Sequence, residues 1–375
     1  VTKLAERLKA RIEASGPIGV DAFIAAALTD AEYGYYATGE PLGAAGDFIT
    51  APEISPIFGE LIGLWVAAVW QQLGEPSPFA LVELGPGRGT LLMDALRAMD
   101  RAVPACAAAL RPVLIEVSRP LKAAQAQALA AVWRGAAPVW HDDFAHVGAG
   151  PLIVLANEFF DALPIRQFVR VAEGWRERLV GIEAASGALT FVLGPLAPPP
   201  PEEQAAQAAE GAIVERCPAG EALAAAIAAR LALDAGAALI IDYGPRRSRP
   251  GDTLQAVRRH RPTAVLDRPG EVDLSHHVDF AALAKAARRP GVAVFGPVPQ
   301  GLFLGRLGIA ERAAQLITHA PAREADIAGR IRRLVHPGRM GVLFNALALM
   351  TAGLGVPSGF TSAAESAASP SNAPQ

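Results

Sequence analysis

Leu81-Val82-Glu83-Leu84-Gly85-Pro86-Gly87-Arg88-Gly89-Thr90 is the stretch from which the rest of the chain is read. The apolar run 80–84 predicts a strand, and 90–99 has the spacing of a helix. Between them Gly85, Gly87 and Gly89 stand at alternate positions. Glycine tolerates positive φ and lets a ligand come close to the backbone. A strand, a glycine turn and a helix in succession bring a small ligand to the carboxyl edge of a sheet. Outward from this turn the alternation continues. Strands are predicted at 112–117, 138–140, 152–156 and 237–241, with a helix at 121–132. Two more strands are expected at 292–295 and 342–349. This order predicts an α/β fold with a mostly parallel sheet covered on both faces.

The 375 residues are enough for two domains or one domain with a large insertion. Lys and Arg number 34 against 37 Asp and Glu, a formal net charge of −3, so no nucleic-acid partner is expected. Hydrophobic residues make up 51% and charged residues 19%, which supplies a core and excludes a disordered chain. No apolar run approaches the roughly 18–20 residues that span a bilayer, so no membrane insertion is expected. Cys106 and Cys217 are too few for a disulfide framework or zinc ribbon, and no metal site is expected. These features suit a cytoplasmic protein, or one of the mitochondrial matrix if eukaryotic.

The predicted organisation has five parts. Residues 1–79 form a helical extension with a lid loop, in which Ser55 and Pro56 start a helix over 57–73. Residues 80–164 begin the core. Residues 165–235 form an inserted subdomain, with short strands at 166–171, 178–182 and 189–193, a polyproline spacer at 198–201 and a helix at 220–233. Residues 236–350 complete the core around a helical segment at 305–333. The Ser-, Ala- and Pro-rich tail, 351–375, is expected to be disordered.

Two ligand classes fit a glycine turn of this kind. The dinucleotide fingerprint G-x-G-x-x-G seats a pyrophosphate on a helix N-terminus. Here the third glycine arrives one residue early, and Glu83 would repel a pyrophosphate while suiting ammonium and sulfonium charges. The spacing E-x-G-x-G-x-G looks like the first motif of S-adenosylmethionine-dependent methyltransferases. Glu116 and Val117, at the tip of the next strand, are expected at the ribose. Asp143 and Phe144, after the third strand, are expected at the adenine.

Further segments carry a more specific resemblance. Gly46-Asp-Phe-Ile-Thr-Ala-Pro-Glu-Ile-Ser55, Phe58-Gly-Glu60, Glu83–Thr90, Glu158-Phe-Phe-Asp161 with Pro164, and Val278-Asp-Phe280 occur in that order. So do Ile241-Asp-Tyr-Gly244, Gly251-Asp-Thr253, Asp273-Leu274 and Met340-Gly341. Over about residues 1–350 the chain resembles the MidA-like family of class I methyltransferases, relatives of the mitochondrial complex I assembly factor. The resemblance implies a seven-stranded, Rossmann-like sheet and S-adenosyl-L-methionine as cofactor. It further implies a protein substrate, arginine N-methylation of a complex I subunit or its bacterial equivalent. Pro56 and His276 depart from the residues usual in the family.

An arginine acceptor is always a cation, so the site must hold it and take up a proton. Carboxylates do both, through planar bidentate pairing. After the fourth strand Asn157 is expected at the cofactor, with Glu158 as the principal clamp and Asp161, three residues on, as its partner. Phe159 and Phe160 would exclude water or belong to the core. His277 and Asp279 are a second catalytic candidate, the imidazole relaying a proton. Asp47, Thr50 and Glu53 would close as a lid, with Phe48 and Thr50 at the cofactor. Two other functions use the same residues: a non-catalytic assembly factor that binds the cofactor, and a small-molecule methyltransferase.

Overall fold

A computed structural model describes residues 2–38, 50–201, 205–206 and 208–361. Seven strands form the central sheet: β1 Phe79–Leu84, β2 Leu110–Ile115, β3 Val139–His141, β4 Leu152–Asn157, β5 Gly236–Tyr243, β6 Val292–Pro299 and β7 Phe344–Thr351. Their spatial order is β6-β7-β5-β4-β1-β2-β3. The five strands from β5 to β3 pair in parallel, and β7 runs antiparallel to both its neighbours. From β1 the chain steps to β2 on one side and returns to β4 on the other. That reversal opens a crevice at the carboxyl ends of β1 and β4, where open α/β sheets bind ligands.

Alternate residues of each strand face opposite layers. Leu81, Leu114, Ile153, Leu155 and Leu239 join a core with α3 Pro56–Gln72 and α4 Thr90–Ala102. Val82, Val113, Val154, Ala238 and Ile240 join the opposite core. There Ala224, Ile227 and Leu231 of α6 Pro218–Asp234 and Leu283 of α7 Phe280–Ala287 cover the sheet. The helix predicted within the insertion is thus a covering layer of the main sheet. Helices α3 and α4 pack very closely. A Cβ on Gly63 would lie 2.5 Å from the Ala95 carbonyl oxygen, so a side chain there would push the two apart. Fully buried Trp65 anchors the same layer.

The inserted strands Arg166–Val171, Gly174–Ile182, Leu189–Ala197 and Ile213–Arg216 form a second sheet, joined at its edge by Ile18–Gly19. Helices α1 Lys3–Ser15 and α2 Val20–Thr29 bury Leu4, Leu8, Phe23 and Ile24 against Val180 of that sheet. The first two helices of the N-terminal extension therefore pack with the insertion, whereas its third, α3, covers the main sheet. A cap of three helices, Gln300–Arg306, Ile309–His319 and Glu324–Val335, adds to the α3 layer. Arg312 Nε donates to Glu60 Oε2 at 2.7 Å, tying the cap to α3.

The tail divides. Residues 352–361, expected to be disordered, are docked: Trp65 Nε1 donates to the Ser358 carbonyl at 3.1 Å, and Phe360 is buried against Phe303. Residues 362–375 lie outside the described residues. No helix among the described residues is long and apolar enough to cross a membrane.

Candidate active site

At the carboxyl ends of β1, β2 and β4 a cavity of about 270 Å³ opens, closed on one side by residues 50–53. Thr50, Glu83, Gly85, Gly87, Glu116, Val117, Asn157 and Glu158 of the expected site residues all line it. Among the described residues its walls carry five carboxylates (Glu53, Glu83, Glu116, Asp142 and Glu158) and one arginine, Arg88.

The glycine turn is the cradle. Gly85 lies at φ 58°, and a Cβ there would meet Phe159 Cδ2 at 2.6 Å. Any larger residue is excluded by both its backbone and its neighbour. Gly89 stands at the N-cap of α4 and lies outside the cavity lining. Gln125 of α5 Arg119–Val132 fastens the turn to β2. Its Nε2 donates to the Gly87 carbonyl at 2.7 Å and to Glu116 Oε2 at 3.1 Å. Its own Oε1 accepts from Trp140 Nε1 at 2.8 Å. Gln125 is fully buried, and it was not among the residues expected from sequence. A glutamine in an apolar helical face was the signal available.

Glu83 and Glu116 are held differently. Glu116 Oε1 accepts from the Ser118 amide at 2.8 Å, so both its oxygens are fixed. Glu83 is buried, and its Oε2 has no hydrogen-bond partner among the described residues. Burial pushes its carboxyl up to about 8. A cation arriving there would restore the ionised form.

Glu158 begins the opposite wall. Its backbone is left-handed, φ 50°, a costly conformation for a non-glycine residue. The strain is held from β5. Asp242 Oδ2 accepts from the amides of Phe159, Phe160 and Asp161 at 3.0–3.2 Å, and its Oδ1 accepts from the Tyr243 amide at 2.9 Å. Glu158 Oε1 in turn accepts from the Ala51 amide at 2.9 Å and from Asn157 Nδ2 at 3.2 Å. Burial pushes the Glu158 carboxyl up to about 7. Asp242, completely buried, belonged to a recognised segment but was assigned no role from sequence.

Besides Gly89, five expected residues fall elsewhere. Asp161 is not on the cavity wall. The left-handed residue 158 breaks the helical register that would have put both carboxylates on one side, and the Tyr243 hydroxyl bonds Asp161 instead. Burial lifts its carboxyl to about 7. Asp143 caps the turn Phe144–His146 through the Ala145 amide, and Phe144 is buried in the sheet core. Asp142 lines the cavity in their place, paired with Lys122. His277 packs edge-on against Tyr243, with burial lowering its basicity, and Asp279 caps α7 through the Ala282 amide while accepting from Ser248 Oγ at 2.9 Å. Neither lines the cavity. Asp47 and Phe48 lie outside the described residues.

The residues present fit S-adenosylmethionine. The unpartnered Glu83 oxygen suits a cationic amino-acid moiety, Glu116 suits a diol, and the glycine cradle admits close approach. Comparison with known proteins agrees. Protein arginine methyltransferase NDUFAF7, mitochondrial, from Mus musculus is 38% identical over 93% of this chain and 85% of that protein. The Homo sapiens protein of the same name is 36% identical over 93% and 84%. A superfamily member from Burkholderia thailandensis, crystallised with S-adenosyl-homocysteine, superposes with a TM-score of 0.81 at 28% identity, covering 95% of this chain and 93% of that one. Residues 61–298 match a family model described as an S-adenosyl-L-methionine-dependent methyltransferase. With its order of strands, its glycine cradle and these matches, the chain belongs to that methyltransferase family.

Proposed function

We propose that this methyltransferase acts on an arginine side chain of a protein, and that the protein is a subunit of respiratory complex I or its bacterial equivalent. The observation that carries the arginine reading is Glu158, strained and fixed through one oxygen in the cavity that also holds Glu83. The relatives named as protein arginine methyltransferases support the same acceptor. The complex I assignment rests on the family resemblance. A reducing compartment, the cytoplasm or a mitochondrial matrix, suits the two free cysteines.

When bound, S-adenosylmethionine supplies an electrophilic methyl group. Glu158 Oε1 is committed to Ala51 and Asn157, and the second oxygen is left to pair with a guanidinium. The guanidinium charge favours the ionised carboxylate despite its burial. The nitrogen that gains a methyl must lose a proton, and Glu158 is placed to take it. Phe159, over the glycine turn, excludes water from the same space.

The test is transfer of labelled methyl from S-adenosylmethionine to intact respiratory subunits and to peptides in which each arginine is replaced by lysine. Label on arginine in the native sequence, lost with the lysine replacement, is the expected result. Label on lysine, or on small amines only, would overturn the arginine assignment. Arginine label absent from every complex I subunit would overturn the narrower one.

A further inference from the structure

The short helix Ala51–Ile54 does more than close the cavity. Thr50 is its N-cap but makes no side-chain cap bond. Glu53, three residues on, accepts a hydrogen bond from the Thr50 backbone. This is half of a capping box, and it accounts for one carboxylate oxygen. The other, Glu53 Oε2, is buried with no hydrogen-bond partner among the described residues, yet Glu53 lines the cavity. A helix cap alone does not require a second carboxylate oxygen buried away from water, and leaving one there is costly.

The same helical turn is wired to Glu158. The Ala51 amide fixes Glu158 Oε1, and Glu53 follows two residues later. The Glu53 charge raises the proton affinity of Glu158, while Arg88 on the same cavity wall favours the ionised form of Glu53 against its burial. We infer that Glu53 is a second acceptor-binding carboxylate, which together with Glu158 selects a guanidinium over an ammonium. The inference rests on the arginine reading. A guanidinium presents five N–H donors in a planar fork and spreads its charge across two carboxylates. A lysine ammonium is a compact charge on a flexible stem, with three donors. Glu53 therefore contributes to the choice of acceptor, whereas Glu83 and Glu116 are disposed toward the cofactor.

Glu53→Gln keeps an oxygen for the cap and removes the charge, while Glu53→Ala removes both. Each variant is compared with the unaltered protein by calorimetric titration with S-adenosylhomocysteine and by initial rates on an arginine peptide and its lysine counterpart. For Glu53→Gln the peptide KM should rise about tenfold or more, the loss of one charge-assisted pair, with S-adenosylhomocysteine affinity within about threefold. The preference for arginine over lysine should shrink. KM should fall with rising pH in the unaltered protein as Glu53, facing Arg88, and Glu158 ionise, and the fall should be shallower in the variant, where Glu158 alone remains. Unchanged KM in Glu53→Gln, or equal loss of cofactor affinity in both variants, would reduce Glu53 to a cap and overturn the inference. If the unaltered protein itself methylates no arginine, the arginine reading fails, and this inference with it.

Discussion

The segments Glu158–Asp161 and His277–Phe280 are alike as text: each sets polar, ionisable residues beside phenylalanine at the start of a turn or helix. In the fold they do opposite work. Asp279 spends its Oδ1 on the Ala282 amide and Ser248 hydroxyl, and His277 rests on Tyr243. Those groups are satisfied by their own neighbourhood. Glu158 is instead forced to φ 50° and presented to a cavity, with the cost met by four amides on Asp242. A carboxylate consumed by a cap stabilises a helix. One held in strain beside a cavity is available for a ligand. Glu53 belongs to both kinds, capping with one oxygen and offering the other.

The contrast is open to direct attack. On the cavity side the largest effect should come from Gly85→Ala, whose methyl would meet Phe159 at a left-handed backbone position. S-adenosylhomocysteine affinity should fall by about a hundredfold or more by calorimetry; near-normal affinity would show that the turn does not cradle the cofactor. Asp242→Asn comes next. It leaves one oxygen where two receive four amides, so stability should drop by about 1–3 kcal/mol in denaturant titration. Methyl transfer should fall further than cofactor affinity, because Glu158 loses its fixed position. Equal loss of both would mean Asp242 is only structural.

Protonation sharpens the comparison. Glu83 in the folded chain ionises near 8, above its unfolded value of 4.5. The protonated form is therefore favoured by folding. Its stabilisation is complete below the unfolded value and lost as pH rises through about 8. Glu158 and Asp161, near 7, act in the same direction. The melting temperature of the ligand-free protein should decline between pH 5.5 and 8.5, and less so in Glu83→Gln. Cofactor binding should release a proton near neutrality, measurable as a binding heat that varies with the buffer. The smallest functional effect belongs to Asp279→Ala. It should cost about 1 kcal/mol for a lost N-cap and leave methyl transfer within about twofold. A large loss of transfer would put the 277–279 segment back in the reaction.

Much of the fold was legible because local pattern and tertiary position coincide. Strand β1, the glycine turn and α4 lie where the apolar alternation and three glycines put them, and Glu83 and Glu116 reach the cavity because strand ends determine where their side chains emerge. The rest depended on facts that sequence spacing does not carry. Asp142 rather than Asp143 reaches the cavity because the latter is drawn off to cap a turn. Asp161 turns away because the left-handed residue before it breaks the i, i+3 register. Gln125 and Asp242 act across 38 and about 80 residues of chain, through bonds that only the folded sheet brings together. The docking of 352–361 was likewise hidden, since Ser358 contributes a backbone carbonyl to Trp65 and side-chain composition is silent about that.

The central claim is that Glu158 serves transfer rather than cofactor binding, and one pair of measurements addresses it. Glu158→Gln, which can still accept from the Ala51 amide, is titrated with S-adenosylhomocysteine and assayed for arginine methylation. The account predicts affinity within about threefold of the unaltered protein and a transfer rate at least about a hundredfold lower. Transfer preserved within a few-fold would contradict it and leave the strained Glu158 without a chemical role.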